Sequence, residues 1–322
     1  MSRFIHSILR QDVTESDGTV TIDLPTHPIS HIIYTVKVLN AVANTKATLA
    51  QILGGVEKVE VLYKGSAILS MSGSDLYALN CVLFGKEPWQ ENVVNTDDAT
   101  RMLTLIIPFG TSMYSSERCL FSTKKGELQL KLTLDVADTG YDGMISQIEV
   151  VELVDASASE HIKVTTLNKT AIVGDFDVDL PIGNRYLGIL LFSTTVPTGT
   201  AWTTTIDKIK LMLDNVQYDY AETNWESLHG MLMNRLSPAG AWGEKFHRFT
   251  YDPTLTAVTS ADTDTEEQDN SDIANYALLD FGLGMSEDFI LDSKGLSRFH
   301  LRITGGDNEA LRILPIELTK ME

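Results

Sequence analysis

The chain has 322 residues, of which 43% are hydrophobic and 21% charged, and its formal net charge is −19. This length is sufficient for two domains of ordinary size. The acidic balance argues against direct nucleic-acid binding, which requires clustered Lys and Arg, and no apolar run approaches the roughly 20 residues that cross a bilayer.

The first ten residues have the apolar spacing of an amphipathic helix. We therefore predict a short helix over residues 1–10 that covers a sheet edge or frays in solvent. The alternative is an arm that contacts a neighbouring molecule or a membrane surface. The apolar residues on the shared face are Phe4, Ile5, Ile8 and Leu9.

Alternating apolar and polar residues, the pattern of half-buried strands, recur through the first half of the chain. A short helix predicted at residues 45–53 interrupts them and ends at Gly54 and Gly55. The alternation is strictest along residues 127–135, where every second residue is a leucine. The other predicted strands are residues 20–24, 31–39, 102–109 and 145–153.

One block, residues 56–84, combines a strand, a tight turn at Gly65, a second strand and a capped helix. The same order of patterns recurs at residues 206–233, shifted by 150 residues from Lys58 to Lys208. Because solenoid units are only about 20–50 residues long, a repeat of this length indicates a duplicated domain.

The helix of each block has its own predicted capping residues. In the first block, Ser72 or Ser74, beside Asp75, is the predicted N-cap. In the second, Thr223 and Glu226 have the spacing of a capping box, in which a hydroxyl and a carboxylate each accept a backbone N–H.

Five further pairs of short segments recur in the same order, which supports a duplication of the whole domain. The small, polar residues 155–160 are the predicted boundary, giving domains 1–157 and 158–322. The paired segments are 22–25 with 178–181, 31–39 with 186–193, 109–110 with 281–282, 127–134 with 298–303, and 151–153 with 316–318.

We predict an all-β protein with a few short helices, built as two tandem eight-stranded antiparallel jelly-roll β-sandwiches. Each half contains about eight short strands bounded by Gly, Pro, Asn and Asp, a pattern typical of two packed antiparallel sheets. One helix between later strands favours the jelly roll. Two sandwiches of another topology are the alternative.

The chain contains none of the common catalytic motifs, such as the Gly-x-Ser-x-Gly elbow, the phosphate-binding Gly-Lys-Ser/Thr loop or Cys-x-x-Cys. We therefore predict no catalytic, cofactor-binding or metal-binding residues. His27 and His31 lie near Asp23, but they flank a proline at a strand entrance, so we expect surface or packing roles for both. The same expectation applies to His247 and His300.

Three further features have ordinary explanations. The acidic run at residues 262–272 lacks the glycine and glutamate of an EF-hand, so we expect a solvated loop rather than a calcium site. The sequon at residues 168–170 is meaningful only in a secreted protein. We expect the tryptophans at subunit interfaces, with a sugar-binding groove as the alternative. They are Trp89, Trp202, Trp225 and Trp242.

The cysteine content and the start of the chain both bear on the compartment. Only two cysteines occur, Cys81 and Cys119. The N-terminus has neither the apolar core nor the cleavage site of a secretory leader. We expect synthesis in a reducing cytoplasm and no disulfide framework.

The duplicated sandwich, the sequence LYKGSAILSMSGSDLYALN of the first block and the strand LTLIIPFG at residues 103–110 carry a family resemblance. Together they resemble the double jelly-roll major capsid proteins of icosahedral viruses with an internal membrane, tectivirus- and corticovirus-like phages among them. The resemblance covers nearly the whole chain, and the second copy is the more divergent. It implies two jelly rolls roughly perpendicular to the capsid surface and a homotrimer whose six sandwiches form a pseudo-hexagonal tile.

The resemblance also implies a role and partners. The chain is expected to be a non-enzymatic shell protein of the virion, made in the host cytoplasm. Expected partners are its own copies, neighbouring capsomers, penton proteins, and minor capsid or membrane proteins, without direct nucleic-acid binding. The loops at residues 85–99 and 252–275 are expected to form towers or lateral contacts, and residues 1–10 to point towards a lipid layer.

Two other functions remain open at this point. A tandem β-sandwich lectin or receptor-binding virion spike requires an exposed aromatic-lined groove for glycans. A carbohydrate-active enzyme requires two carboxylates about 5–10 Å apart in a cleft. The 44 acidic residues leave that spacing open.

Overall fold

The computed structural model describes residues 3–41, 47–91, 99–136, 140–197, 202–214, 216–217, 220–236, 273–283 and 287–320. Two compact units divide the chain. Unit 1 contains the chain up to His161, and unit 2 comprises Ile162–Arg235 and Ile273–Glu322. Several sequence predictions fall outside the described residues: the acidic run 262–272, His247, Trp242, and parts of the loops 85–99 and 252–275.

Unit 1 consists of two antiparallel sheets and two helices. In chain order its elements are β1 (Arg3–Thr14), β2 (Gly18–Asp23), β3 (Ile29–Asn40), α1 (Leu49–Gly54), β4 (Lys58–Tyr63), β5 (Ser66–Met71), α2 (Gly73–Phe84), β6 (Gln90–Glu91), β7 (Thr100–Pro108), β8 (Leu128–Leu134) and β9 (Tyr141–Val154). One sheet has the order β1-β9-β3-β7-β6 and the other has the order β5-β4-β8-β2. This interleaving of strands distant in sequence is that of a jelly roll.

Unit 2 repeats this arrangement. The chain continues with β10 (Glu160–Thr165), β11 (Leu167–Thr170), β12 (Gly174–Asp179), β13 (Arg185–Ser193), β14 (Ile206–Leu213), β15 (Val216–Gln217), β16 (Thr223–Asn224), α3 (Trp225–Arg235), β17 (Tyr276–Asp280), β18 (Leu291–Asp292), β19 (Phe299–Gly305) and β20 (Ala310–Lys320). One sheet places β17, β13 and β20 side by side, with β11 next to β20 and β18 next to β13. The other has the order β12-β19-β14-β15, with β16 next to β14.

The strand registers of the two units coincide at positions that the sequence repeat pairs. Val61 on β4 is opposite Leu130 on β8, and Leu211, 150 residues after Val61, is opposite Leu301 on β19. The repeat therefore holds at this pair of strands, where equivalent residues are opposite each other in both units.

The other sheet shows the same correspondence. Ile32 on β3 is opposite Ile107 on β7, and Ile189 on β13 is opposite Leu279 on β17. Because a one-residue slip would turn every side chain to the opposite face, a shared register means that both units bury equivalent positions.

The strictest predicted strand is confirmed in β8. Its leucines are at most 2% exposed, so they form one wall of the core. A Lys-Gly turn precedes both β8 and its counterpart β19. Gly126 and Gly295 have φ angles of +81° and +88°, in the left-handed region that glycine adopts without a steric penalty. The four leucines are Leu128, Leu130, Leu132 and Leu134.

The helices of unit 1 begin at residues able to cap them. Thr48 is the N-cap of α1 and forms a reciprocal capping box with Gln51. Ser72 is the N-cap of α2, and its hydroxyl accepts the N–H of Asp75 at 3.1 Å. The predicted Ser72 cap is therefore confirmed. The helix predicted at residues 45–53 is present as α1, which begins at Leu49.

The predicted N-terminal helix is wrong. Residues 3–14 form β1, which pairs antiparallel with β9 from Arg3 opposite Val154 to Thr14 opposite Ile145. Without β1, the edge of β9 would expose a row of unpaired backbone groups. Satisfying that edge outweighs a weak helical spacing over ten residues, since short isolated helices are marginal in water.

The predicted capping box of the second block is also wrong. Thr223 belongs to β16, where it lies opposite Ile209 of β14, and α3 begins at Trp225. A cap at Thr223 requires the helix to begin at the next residue, whereas strand pairing delays its start to Trp225. Glu226 is then no longer three residues after the N-cap, as a capping box requires. The counterpart of the turn residue Gly65, Asn215, lies outside the described residues.

Candidate functional surfaces

His31, one of the two histidines near Asp23, lies in the interior of the protein. His31 is buried, lies 2.9 Å from the Ser30 hydroxyl through Nδ1 and packs edge-on against Tyr114 with ring centroids 5.2 Å apart. Burial, with a smaller contribution from His6, lowers the pKa of His31 to about 4. Within the described ranges no cluster of His, Cys, Asp and Glu has a metal-binding arrangement.

A charged ladder runs along the outer side of β12 and β19. Asp177 accepts hydrogen bonds from Arg302 Nε at 2.8 Å and from Arg298 Nη2 at 3.1 Å. Several contacts lower the pKa of the Asp177 carboxyl, and the hydrogen bonds from Arg302 contribute most. His300 is fully buried beside this pair, with Nε2 3.5 Å from Asp177. The sequence feature that could have predicted this ladder is the alternation of acidic residues along β12 and basic residues along β19.

A carboxyl group is buried in β20. Glu317 is fully buried, and its Oε2 accepts a hydrogen bond from Asn184 at 2.5 Å. Its Oε1 has no hydrogen-bond partner among the described residues. Burial is the largest cause that raises the pKa of this carboxyl. An acidic residue inside an apolar strand was visible in the sequence, but its complete burial was not.

The tryptophans have different environments. Trp225 is 1% exposed and begins α3 in the core of unit 2. Trp89 is 57% exposed and Trp202 is 84% exposed. The expectation of subunit contacts therefore applies to Trp89 and Trp202, which are accessible, and not to Trp225.

Each unit has a groove beside its principal helix. The groove of unit 1, about 420 Å³, is lined by Phe84, Trp89 and Met113 among others. The unit 2 groove is larger, about 760 Å³. Its wall is largely apolar. Asp288 and Asp292 are exposed at the rim, whereas Asp280 is buried and pairs with Arg235 at 2.8 Å. The lining residues are Leu213, Tyr220, Met231, Asp280, Phe281, Asp288, Phe289, Ile290, Leu291 and Asp292.

The N-terminal strand exposes its apolar side chains. Phe4 is 59%, Ile5 43% and Ile8 54% exposed, and β1 is the terminal strand of its sheet. Phe4 packs edge-on against Tyr114, itself 50% exposed, with centroids 5.3 Å apart. Neighbouring side chains of a strand point to opposite sides, so Phe4 and Ile5 do not share the single apolar face that a helix predicted, although both are exposed.

The corresponding edge of unit 2 is polar. β11 pairs with β20 as β1 pairs with β9, but it has only four residues. Asn168, Lys169 and Thr170, which form the sequon, are all exposed there. Both cysteines are buried, and burial raises the pKa of the Cys119 thiol to about 11.

The chain was compared with known proteins. No protein-family profile matches it, and no curated protein matches it in sequence. Solved structures do match in fold. The major capsid protein of Sulfolobus turreted icosahedral virus superimposes with a TM-score of 0.68 at 13% identity, covering 99% of this chain and 97% of that chain.

Two other capsid structures resemble the chain. The major capsid protein P2 of bacteriophage PM2 gives a TM-score of 0.61 at 13% identity, covering 100% of this chain and 98% of that chain. The PBCV-1 virus capsid structure gives 0.59 at 11% identity, covering 99% and 94%. At these identities the likeness concerns the fold: the chain has the double jelly-roll fold that was predicted. Among the helices of the described residues, none has the length and apolarity needed to cross a bilayer.

Proposed function

We propose that the chain is the major capsid protein of an icosahedral virus, a structural protein without enzymatic activity. The observation that carries this proposal is a single chain holding two jelly rolls with equivalent registers, as at Leu130 and Leu301. Capsid proteins with the same fold, matched over 97–98% of their own length, support it. The place of action is then the shell of the virion.

The duplication has a geometric purpose in such a shell. A chain with two similar sandwiches gives a three-fold ring six similar lobes, so a trimer fits a hexagonal lattice position. We therefore propose a homotrimeric, pseudo-hexagonal capsomer that associates with neighbouring capsomers. In this proposal residues 1–157 and 158–322 are the two lobes contributed by each chain.

Electrostatics limits how the copies associate. With a formal net charge of −19, free copies repel each other. Dense packing then requires apolar contacts or cations that offset the repulsion. Exposed apolar side chains such as Phe4, Trp89 and Trp202 are available for the former.

Further partners belong to the same proposal. Penton proteins, minor capsid or membrane proteins, and an internal lipid membrane beneath the shell are the partners that a capsid protein of this fold implies. The contact predicted between residues 1–10 and lipid is tested by vesicle co-flotation of the full chain and of a chain lacking these residues. Equal flotation of the two proteins would reject it. The lectin or receptor-binding spike is not favoured, since the structures that resemble the chain are capsid proteins.

The native mass of the purified protein tests the capsid proposal. We expect a trimer, about three times the 35.6 kDa chain mass, that persists on dilution to nanomolar concentrations. Sedimentation velocity across a concentration series measures it. A monomer at every concentration and ionic strength would contradict the proposed function.

A further inference from the structure

Strand β1 has the properties of an uncovered contact surface. It is a twelve-residue strand at the end of its sheet, and no other described strand pairs with its outer side. Soluble proteins usually protect long apolar edges with charge, proline or a covering element. Phe4, Ile5 and Ile8 instead expose between 43% and 59% of their surfaces.

Unit 2 shows that the fold itself does not require this exposure. At the equivalent edge, β11 is four residues long and exposes Asn168, Lys169 and Thr170. The same position in the duplicated fold is therefore polar in one copy and apolar in the other. This difference indicates a contact specific to the unit 1 edge.

The unit 2 groove has complementary properties. Tyr220, Phe281 and Phe289 provide aromatic surface around a volume of about 760 Å³. Phe289 is 63% exposed, and Asp288 and Asp292 are exposed at the rim. None of the described residues that line the groove is Lys, Arg or His, and the charged side chains exposed at its described rim are acidic. A ligand for this groove should therefore be apolar and positively charged.

Residues 3–10 fit that description within a very acidic chain. The sequence RFIHSILR contains two arginines and no acidic residue. Arg10 already pairs with Glu15 at 2.8 Å, whereas Arg3 is exposed and forms no ion pair with another described residue. Opposite charges on the two surfaces would orient an approach that the net charge otherwise opposes.

We propose, on the premise of the capsid role above, that β1 of one copy docks in the unit 2 groove of the next copy. Phe4 and Ile8 enter the groove, and Arg3 approaches Asp288. The contact is heterologous, since each copy offers β1 on unit 1 and a groove on unit 2. Repetition of such a contact closes a ring when the rotation between copies divides a full turn.

Directed cross-linking of the full chain tests this contact. One preparation carries Phe4→Cys and a second carries Phe289→Cys; the native Cys81 and Cys119 are buried and should remain unreactive without denaturant. The preparations are mixed, dissociated and reassembled, then treated with a short bismaleimide. We expect cross-linked dimers in the mixture and none in either preparation alone. Lys169→Cys mixed with Phe289→Cys is the matched control and should give none.

Each outcome decides a different point. An oligomer that cross-links through Phe4→Cys alone would indicate a symmetric β1 contact and overturn the inference while leaving the capsid role intact. An oligomer without a cross-link in the mixture would also overturn it. Chains that stay monomeric contradict the proposed function itself. Vesicle binding that Phe4→Ser abolishes, with assembly unchanged, would assign β1 to a membrane instead and reject the docking.

A charge exchange gives a second, independent test. Arg3→Glu and Asp288→Lys should each weaken the trimer, by roughly ten-fold in its dissociation constant, and the double variant should recover most of the loss. Lys169→Glu and Asp207→Lys are controls at exposed positions outside the contact. Equal weakening by the controls, or no recovery in the double variant, would overturn the inference.

Discussion

Glu317 shows how one buried group makes the fold depend on pH. Because burial raises its pKa in the folded chain above the unfolded value, its contribution to stability is lost as the pH rises through the folded-state pKa. Glu317→Gln retains an acceptor for Asn184 and cannot ionise. We expect it to increase the free energy of unfolding by about 1–3 kcal/mol near pH 8. Chemical denaturation of both proteins measures the difference.

The pH dependence of that difference separates ionisation from packing. It should shrink as the pH falls towards about 4, near the ordinary pKa of a glutamate, because both proteins are then neutral at this position. Glu309→Gln is the control. Glu309 is exposed and directly precedes β20, so this substitution should change stability by less than about 0.5 kcal/mol. A destabilised Glu317→Gln protein at pH 8 would contradict this account.

The opposite sign is expected at Asp177. Arg302 and Arg298 lower its pKa in the folded chain, so its stabilising effect exists above the unfolded pKa and is lost as the pH falls through the folded value. Asp177→Asn should destabilise by about 0.5–1 kcal/mol at neutral pH, a small effect because the ladder borders solvent. The difference should fade below about pH 4.

Denaturation curves at two pH values measure this effect. Asp207→Asn, at an exposed position on β14, serves as the control and should behave like the native chain throughout. An equal loss of stability at both pH values would indicate a packing effect rather than an ion pair. At the residue scale, acidic residues alternate along β12 and basic residues along β19, but the sequence does not show which of them meet, because cross-strand neighbours depend on the register.

At the scale of elements, α2 protects the edge of β7. In the part of the chain that the structure describes, strand β6 pairs with β7 at Met102 and Leu103. Further along, Asn80 of α2 donates 2.7 Å to the carbonyl of Ile106 and accepts the N–H of Ile106 at 2.7 Å. A helix side chain thus replaces a neighbouring strand, so the edge does not expose unpaired groups.

Asn80→Ala should therefore weaken unit 1 more than an ordinary polar substitution. It leaves two backbone groups of a nearly buried strand without partners, which we expect to cost about 2–4 kcal/mol. Ser74→Ala, in the first turn of the same helix, should cost less than about 0.5 kcal/mol. Thermal unfolding of the three proteins measures the order, and similar melting temperatures for both variants would contradict the role of Asn80.

The N-terminus shows what sequence patterns miss at this scale. The spacing of Phe4, Ile5 and Ile8 fits a helix, yet residues 3–14 form a strand because β9 provides an edge to pair with. Local spacing likewise placed Thr223 at a helix cap, but it belongs to β16, which pairs with β14. Both errors arise where pairing with a distant strand overrides local preference. Long internal strands such as β8 were predictable, because their alternation records the faces that they bury.

At the scale of the whole molecule, the repeat was the most informative sequence feature. Offsets read from pairs such as Lys58 and Lys208 correspond to equivalent strand registers in the two units. The presence of two jelly rolls in one chain could therefore be predicted from the sequence alone. The grooves and the exposed face of β1 could not, because they depend on side chains brought together from separate strands and loops.

Electron microscopy of the purified assembly tests the central claim most directly. If the chain is a double jelly-roll capsid protein, averaged end-on views should show three-fold symmetry with six similar lobes around a ring, two from each chain. The mass of the imaged particle should correspond to three chains. A particle of two-fold symmetry, or a bilobed monomer in all views, would contradict the claim.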